Sequence, residues 1–175
     1  MSQSRQNGFT IIELMIGIAV AAILLAVALP NFRSAIQNNR ISSQSNELLT
    51  AFQLARSESL KRGSPIVVCP SDDSATCSGD WEDGWIVVVD DNNAGESDVD
   101  EGEVLRVWGA VSGDLTLTGA GTFYRFLPRG ILDDSAGVGI PATVSIEIPG
   151  CTGDQARDLE IARSGRTSLR RVACS

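Results

Sequence analysis

The chain contains no histidine at any of its 175 positions. A Ser-His-Asp or Cys-His relay therefore cannot be built, and the commonest nitrogen ligand for zinc is missing. None of the four cysteines is spaced Cys-x-x-Cys, which removes the usual framework of a four-thiolate zinc site. There is no phosphate-binding glycine loop either, because Gly119-Ala120-Gly121 lacks both the spacing and a following helix. Asp133 and Asp134 are adjacent acids, but such a pair in a glycine-rich stretch is ordinarily solvated rather than poised for acid-base work. An enzyme is not expected, and no cofactor is required. No internal repeat is apparent, and from Ser71 to Glu103 twelve acidic residues face no lysine or arginine.

What the chain does have is a long apolar run near its start. Phe9 to Leu29 is 21 residues, and Glu13 is the one charge within it. A helix rising about 1.5 Å per residue would carry that run across a hydrocarbon core roughly 30 Å thick. The leader Met1 to Gly8 holds only Arg5 as a charged side chain, so the basic end is expected to stay cytoplasmic while the bulk is exported. An ionised carboxylate in hydrocarbon costs on the order of 2.5–3.5 kcal/mol, so Glu13 should sit opposite a compensating cation. A neighbouring chain's free amine could supply it. The rival reading is a secretory signal cut after Ala28, which would discard Glu13 and release a soluble periplasmic binding module. Cleavage after Gly8 would instead leave the new amine of Phe9 about one helical turn from Glu13.

Gly8-Phe9-Thr10-Ile11-Ile12-Glu13-Leu14-Met15 resembles the class III signal of type IV prepilins and pseudopilins. The resemblance implies that a prepilin peptidase cuts between Gly8 and Phe9 and that Phe9 becomes N-methylated. It also implies that Glu13 pairs with the amine of an adjacent subunit during assembly. Packing apolar helices into a filament would keep their faces out of water.

After Pro30 about 145 residues remain, enough for one compact domain. Pro30 predicts a kink rather than an end, because helical spacing resumes beyond it, with Ile41, Leu48, Phe52 and Ala55 on one face. Gly63-Ser64-Pro65 should close the helix. Thereafter short β-branched runs alternate with turn residues, and eight strands are expected: 66–69, 85–89, 104–108, 115–118, 122–127, 143–148, 159–163 and 169–173. The fold class is α+β, a long N-terminal helix with an amphipathic half packed on an antiparallel head of one sheet or two small ones. This gives a leader 1–8, a membrane or filament-core helix 9–29, its amphipathic continuation 30–62 and a periplasmic β-rich head 63–175. The cysteines Cys69, Cys77, Cys151 and Cys174 suit an oxidising compartment and allow three pairings. The local pairing, Cys69 with Cys77 and Cys151 with Cys174, is favoured.

Cys69-Pro70 through Cys77, Trp81-Glu82-Asp83-Gly84-Trp85, Gly102-Glu103, Phe126-Leu127-Pro128-Arg129-Gly130 and Ser164-Gly165-Arg166 are together similar to the GspH/FimT family of minor pilins and pseudopilins. That similarity implies a low-copy subunit, held by the inner membrane with its head in the periplasm. It would join other minor and major pilins or pseudopilins through an inner-membrane assembly platform. It would help to start or cap a type IV pilus or a type II secretion pseudopilus.

Two charge patterns suggest ligands. Asp90, Asn92, Gly95, Asp98 and Glu101 fall at positions 1, 3, 6, 9 and 12 of an EF-hand-like loop, a spacing of oxygen ligands suited to calcium. Ala94 stands where a further ligand is wanted, and a solvated hairpin loop is the plain alternative. The second pattern is Gly165-Arg166-Thr167-Ser168-Leu169-Arg170-Arg171, which loosely resembles a Gly-Arg-x-Arg element through which some family members bind DNA. Its second arginine arrives two positions late. Strand alternation would put Arg166 and Arg170 on one face, with Arg163 and Arg171 nearby, where guanidinium groups could meet phosphates. A net charge of −8 opposes DNA at range. Trp81, Trp85 and Trp108 are read as core rather than as interface anchors.

Overall fold

The computed structural model describes residues 10–91, 98–119, 121–133 and 139–174, with the side chains of residues 27–31 and 33 left outside the description. Helix α1, Ile11–Arg62, is assigned as one element of 52 residues that includes Pro30. Thr10 starts it. Its Oγ1 accepts the Glu13 N–H at 3.3 Å, and Thr10-Ile11-Ile12-Glu13 has the spacing of a capping box. Gly63 ends it with φ +67°, donating its N–H to the Ser59 carbonyl at 3.0 Å. This is the left-handed cap that glycine adopts without penalty.

The chain divides into two compact units, Met1–Asn38 and Asn39–Ser175. Composition changes at Pro30, but the division falls inside α1. Among the described residues the first helical side chain to be fully buried is Ile41, and packing rather than polarity sets the boundary.

In the second unit, α1 buries Ile41, Ser45, Leu48, Ala51, Phe52, Ala55 and Ser59, a run of three- and four-residue steps that makes one face. The two serines on that face are satisfied within the helix. Ser45 donates to the Ile41 carbonyl at 2.6 Å and Ser59 to that of Arg56 at 2.9 Å. Eight strands follow: β1 Ile66–Pro70, β2 Gly84–Asp90, β3 Glu101–Gly109, β4 Thr116–Thr118, β5 Tyr124–Phe126, β6 Ala142–Glu147, β7 Ala156–Ile161 and β8 Thr167–Val172. They form two four-stranded sheets ordered β3-β2-β1-β5 and β4-β6-β7-β8, with every pairing antiparallel.

The expected strands are present with shifted ends. β3 begins three residues earlier than its apolar run suggests, and β7 and β8 begin three and two residues earlier. Their register, Ile161 opposite Thr167, is set by a turn in which Ala162 donates to the Arg166 carbonyl and Gly165 donates to that of Ala162.

One core joins the helix face to both sheets through Leu48, Phe52, Tyr124, Phe126, Val144, Ile146 and Leu159. Phe52 meets Tyr124 edge-on with ring centroids 5.0 Å apart. A second, smaller cluster of Val67, Cys69, Ile86, Val88 and Phe123 lies on the other face of the first sheet, covered by Cys77, Val99 and Val104. Cover on both faces explains why β1 is buried at every position while β6 alternates buried and open. The Cys69–Cys77 disulfide holds part of that cover, and Cys151–Cys174 closes the C-terminal segment. This is the local pairing the spacing favoured.

Gly84 enters β2 from a short 3-10 helix, Trp81–Asp83. Its φ is +123°, and a Cβ there would lie 2.5 Å from the Trp108 carbonyl. Only glycine fits. Trp81, Trp85 and Trp108 are all buried, so the aromatic residues around this entry to the sheet belong to the core.

Candidate functional site

The first unit presents apolar side chains to solvent. Ile11 is 81% exposed, and Ile12, Leu14, Met15, Ile16, Ile18, Leu24 and Leu25 are all more than half open. So large an apolar surface marks a site of contact with other apolar matter. Glu13 is exposed in the first helical turn, where the helix dipole favours a negative charge. Its carboxylate has no partner among the described residues. Gly8 and Phe9 lie outside the described residues. Among those described, no helix is long and apolar enough to cross a membrane; part of the 9–29 run falls at residues whose side chains are not described.

The acidic stretch is organised around a cation from another part of the chain. Arg125 on β5 is completely buried and donates its Nε to Asp90 Oδ2 at 2.5 Å. Its Nη1 lies 3.6 Å from Asp133 Oδ2, and Nη2 donates to the Asp98 carbonyl. The guanidinium also sits 5.0 Å from the centre of the Phe123 ring. Asp90 Oδ1 accepts the Asp100 N–H at 3.1 Å, and Glu101 Oε1 accepts the Cys77 N–H at 2.9 Å.

Three of the residues with calcium-loop spacing have partners in the fold. Asp90 neutralises Arg125, Asp98 offers its backbone, and Glu101 anchors the disulfide loop. Asn92, Ala94 and Gly95 lie outside the described residues, as does Asp134, and among those described no group of acids is gathered as a metal site. Sequence reasoning missed Arg125. The available signal was a lone charge within Phe123-Tyr124-Arg125-Phe126, since a cation in so apolar a strand demands a carboxylate.

On the disulfide loop, Asp73 accepts hydrogen bonds from the N–H groups of Thr76 and Ala75, both at 2.8 Å, and from the Thr76 and Ser71 hydroxyls. These bonds, the Thr76 N–H foremost, hold its carboxyl well below the usual aspartate range. The acidic surface here is charged by construction.

The C-terminal arginines are not all on one face. Arg166 precedes β8, and Arg163 lies in the turn between β7 and β8. Within β8, Arg170 and Arg171 are consecutive and point to opposite sides of the sheet. Arg170 donates to Glu160 at 2.7 Å. Arg171 stands opposite Arg157 in the register, on the side of Leu159 and Leu169. Burial of Arg157, and secondarily the charge of Arg171, lowers the Arg157 pKa from its ordinary value. Arg157 answers by donating to the carbonyls of Gln155 and Ala156 and to the Ser42 hydroxyl. Arg166 lies one residue before β8, where its carbonyl accepts the Ala162 N–H.

Residues 44–165 match the family described as Type II transport protein GspH, and residues 3–29 match the Prokaryotic N-terminal methylation motif. The Type IV major fimbrial protein FimA of Dichelobacter nodosus is 41% identical over 54 residues, 29% of this chain. The chain spans 35% of the length of that curated relative. The type IV minor pilin FimU of Pseudomonas aeruginosa superposes with a TM-score of 0.57 at 26% identity, covering 75% of this chain and 89% of that one. A second crystal form of FimU gives 0.53 at 24% identity over 74% and 91% of the two chains, a likeness of fold. The GspH match runs from the buried face of α1 through both sheets to the turn after β7, so this pilin-like α+β chain belongs to the GspH family.

Proposed function

We propose that the chain is a minor pilin or pseudopilin subunit that takes part in assembling or priming a type IV pilus or a type II secretion pseudopilus. The observation that carries this reading is the pairing of an exposed apolar helix bearing one acid with a head that folds like FimU. The methylation-motif match over residues 3–29 supports processing at Gly8–Phe9 by a prepilin peptidase, with Phe9 as the mature first residue. In this reading residues 9–29 hold the subunit in the inner membrane, with the head in the periplasm, until the assembly platform draws it into the filament. There the apolar side chains pack on those of neighbouring pilins or pseudopilins, and Glu13 meets the amine of the adjacent subunit. The amine–carboxylate pair sets the axial step, because an uncompensated carboxylate in an apolar bundle is costly.

Mass spectrometry of the mature protein tests the processing, and should find methylated Phe9 first. Glu13→Ala should lower the amount of chain in sheared filaments while leaving the head folded. A mature chain beginning after Ala28, or equal incorporation of Glu13→Ala, would overturn this reading. The dispersal of Arg163, Arg166, Arg170 and Arg171 gives the nucleic-acid alternative no observation of its own.

A further inference from the structure

Two segments marked in the sequence, Phe126-Leu127-Pro128-Arg129-Gly130 and Ser164-Gly165-Arg166, have no part in the acidic lobe. The fold brings them together. Gly165, at φ +71°, lies so close to the Gly130 carbonyl that a Cβ would fall 2.0 Å from that oxygen. Gly130 itself, at φ +69°, leaves room for Leu60 of α1 alone, since its Cβ would fall 2.9 Å from Leu60 Cγ. Arg56 closes the junction by donating its Nε to the Gly130 carbonyl at 3.2 Å. Around this junction lies an open cleft of about 420 Å³ between α1 and the start of β8, lined by Gln53, Arg56, Ser57, Leu60, Arg166 and Thr167.

No carboxylate lines it. Glu58 is paired with Lys61 and Arg62, Glu103 with Arg62, and Glu160 with Arg170. Arg56 and Arg166 have no ion-pair partner among the described residues. Gly165 fixes the turn that leads into Arg166 and Arg56 is held on α1, so both arginines line a cleft that also presents the exposed apolar side chain of Leu60.

We infer that this cleft is a docking surface for a carboxylate-bearing loop on the head of an adjacent pilin-family subunit, an assignment that rests on the filament reading above. Charge complementarity selects the occupant. This chain's own head shows what such a loop looks like. Asp72, Asp73, Asp80, Asp98 and Asp100 are exposed within a stretch that has no basic residue. Acidic surface and basic cleft occupy different parts of the head, the arrangement of a heterologous contact, which propagates along a helical assembly instead of closing a pair. The acidic partner would fix orientation and suppress wrong neighbours more than it would add affinity.

The test places a benzophenone photocrosslinker at Gln53 of the full chain in cells that build the filament. Adducts are mapped by mass spectrometry with Arg166 intact, with Arg166→Glu and with Arg166→Lys. The expected adduct is to a segment of another pilin-family subunit bearing at least two carboxylates. It should fall about tenfold in Arg166→Glu and persist in Arg166→Lys. No adduct from the unaltered chain, an adduct to a neutral or basic segment, to lipid or to nucleic acid, or one equally strong in Arg166→Glu would each overturn the assignment. Thermal unfolding of the purified Arg166→Glu chain should match the parent, because Arg166 is exposed; a matching melt separates lost docking from lost folding, and a lowered melt makes the side chain structural and overturns the proposal. Sheared filaments are probed in parallel. Absence of the chain from them sinks the filament reading, whereas an acidic-head adduct lost in Arg166→Glu leaves the cleft assignment standing.

Discussion

Replacing Asp90 by Asn tests what holds the acidic lobe together. The substitution keeps shape and removes the charge from a pair in which both side chains are fully buried. Arg125 would keep its contacts to the Asp98 carbonyl and to the Asp133 carboxylate at 3.6 Å but would lose the charge of the carboxylate at 2.5 Å, in a site closed to water. Breaking a buried pair in this way costs about 3–5 kcal/mol. For a cooperative unit spanning residues 39–175, each kcal/mol moves the melting midpoint by roughly 3–4 °C, so a fall of about 10–20 °C is expected. Near-ultraviolet circular dichroism of the full oxidised chain in mild detergent would follow the buried tryptophans through the transition. The double replacement Asp90→Leu/Arg125→Met should recover most of the loss, since removing both charges removes the desolvation cost as well. Millimolar calcium should leave the parent midpoint where it is, because the Asp90 oxygens are already engaged by Arg125 and the Asp100 N–H. A cost under about 1 kcal/mol for Asp90→Asn, as for an exposed pair, or a double variant no more stable than the single one, would refute the reasoning.

Two other outcomes follow from local geometry. Gly84→Ala should destabilise the head by at least about 2 kcal/mol in urea unfolding, because a positive φ and a carbonyl 2.5 Å from the new Cβ leave no relaxed position; a change near zero would show that β2 and β3 separate freely at that point. The folded-state pKa of Asp73 is depressed by its hydrogen bonds, so its stabilising contribution is present above the unfolded value of about 3.9 and is lost as pH falls through the lower folded value. A carbon-detected NMR titration should place its midpoint well below 3.9, and an ordinary midpoint would mean the Thr76 and Ala75 bonds are not formed in solution.

Much of the architecture is written in short-range pattern. Helical spacing from Ile41 to Ala55 placed the buried face of α1, and the β-branched runs placed eight strands, because side-chain periodicity reflects which face is buried. Strand ends were less legible. Those of β7 and β8 are set by a turn whose hydrogen bonds run between Ala162 and Arg166, and an apolar run does not reveal which residue its neighbour will face. The start of β8 at Thr167, directly after Arg166, was no more legible. Thr10 at the start of α1 was legible and overlooked. Its capping spacing to Glu13 gives that residue a role in starting the helix beside the one its charge suggests in assembly.

The sequence by itself determined the helix, the one acid of its apolar run and the strands, and it favoured the local closure of both cysteine pairs, all of which depend on residues near one another in the chain. Only the tertiary structure decided which cation serves the acidic lobe, by bringing Arg125 to Asp90 across 35 residues, and where the Gly130 and Gly165 segments meet Arg56. Pairings of that kind are fixed by sheet order and by burial, and charge on a linear chain carries no record of which opposite charge it will be buried beside.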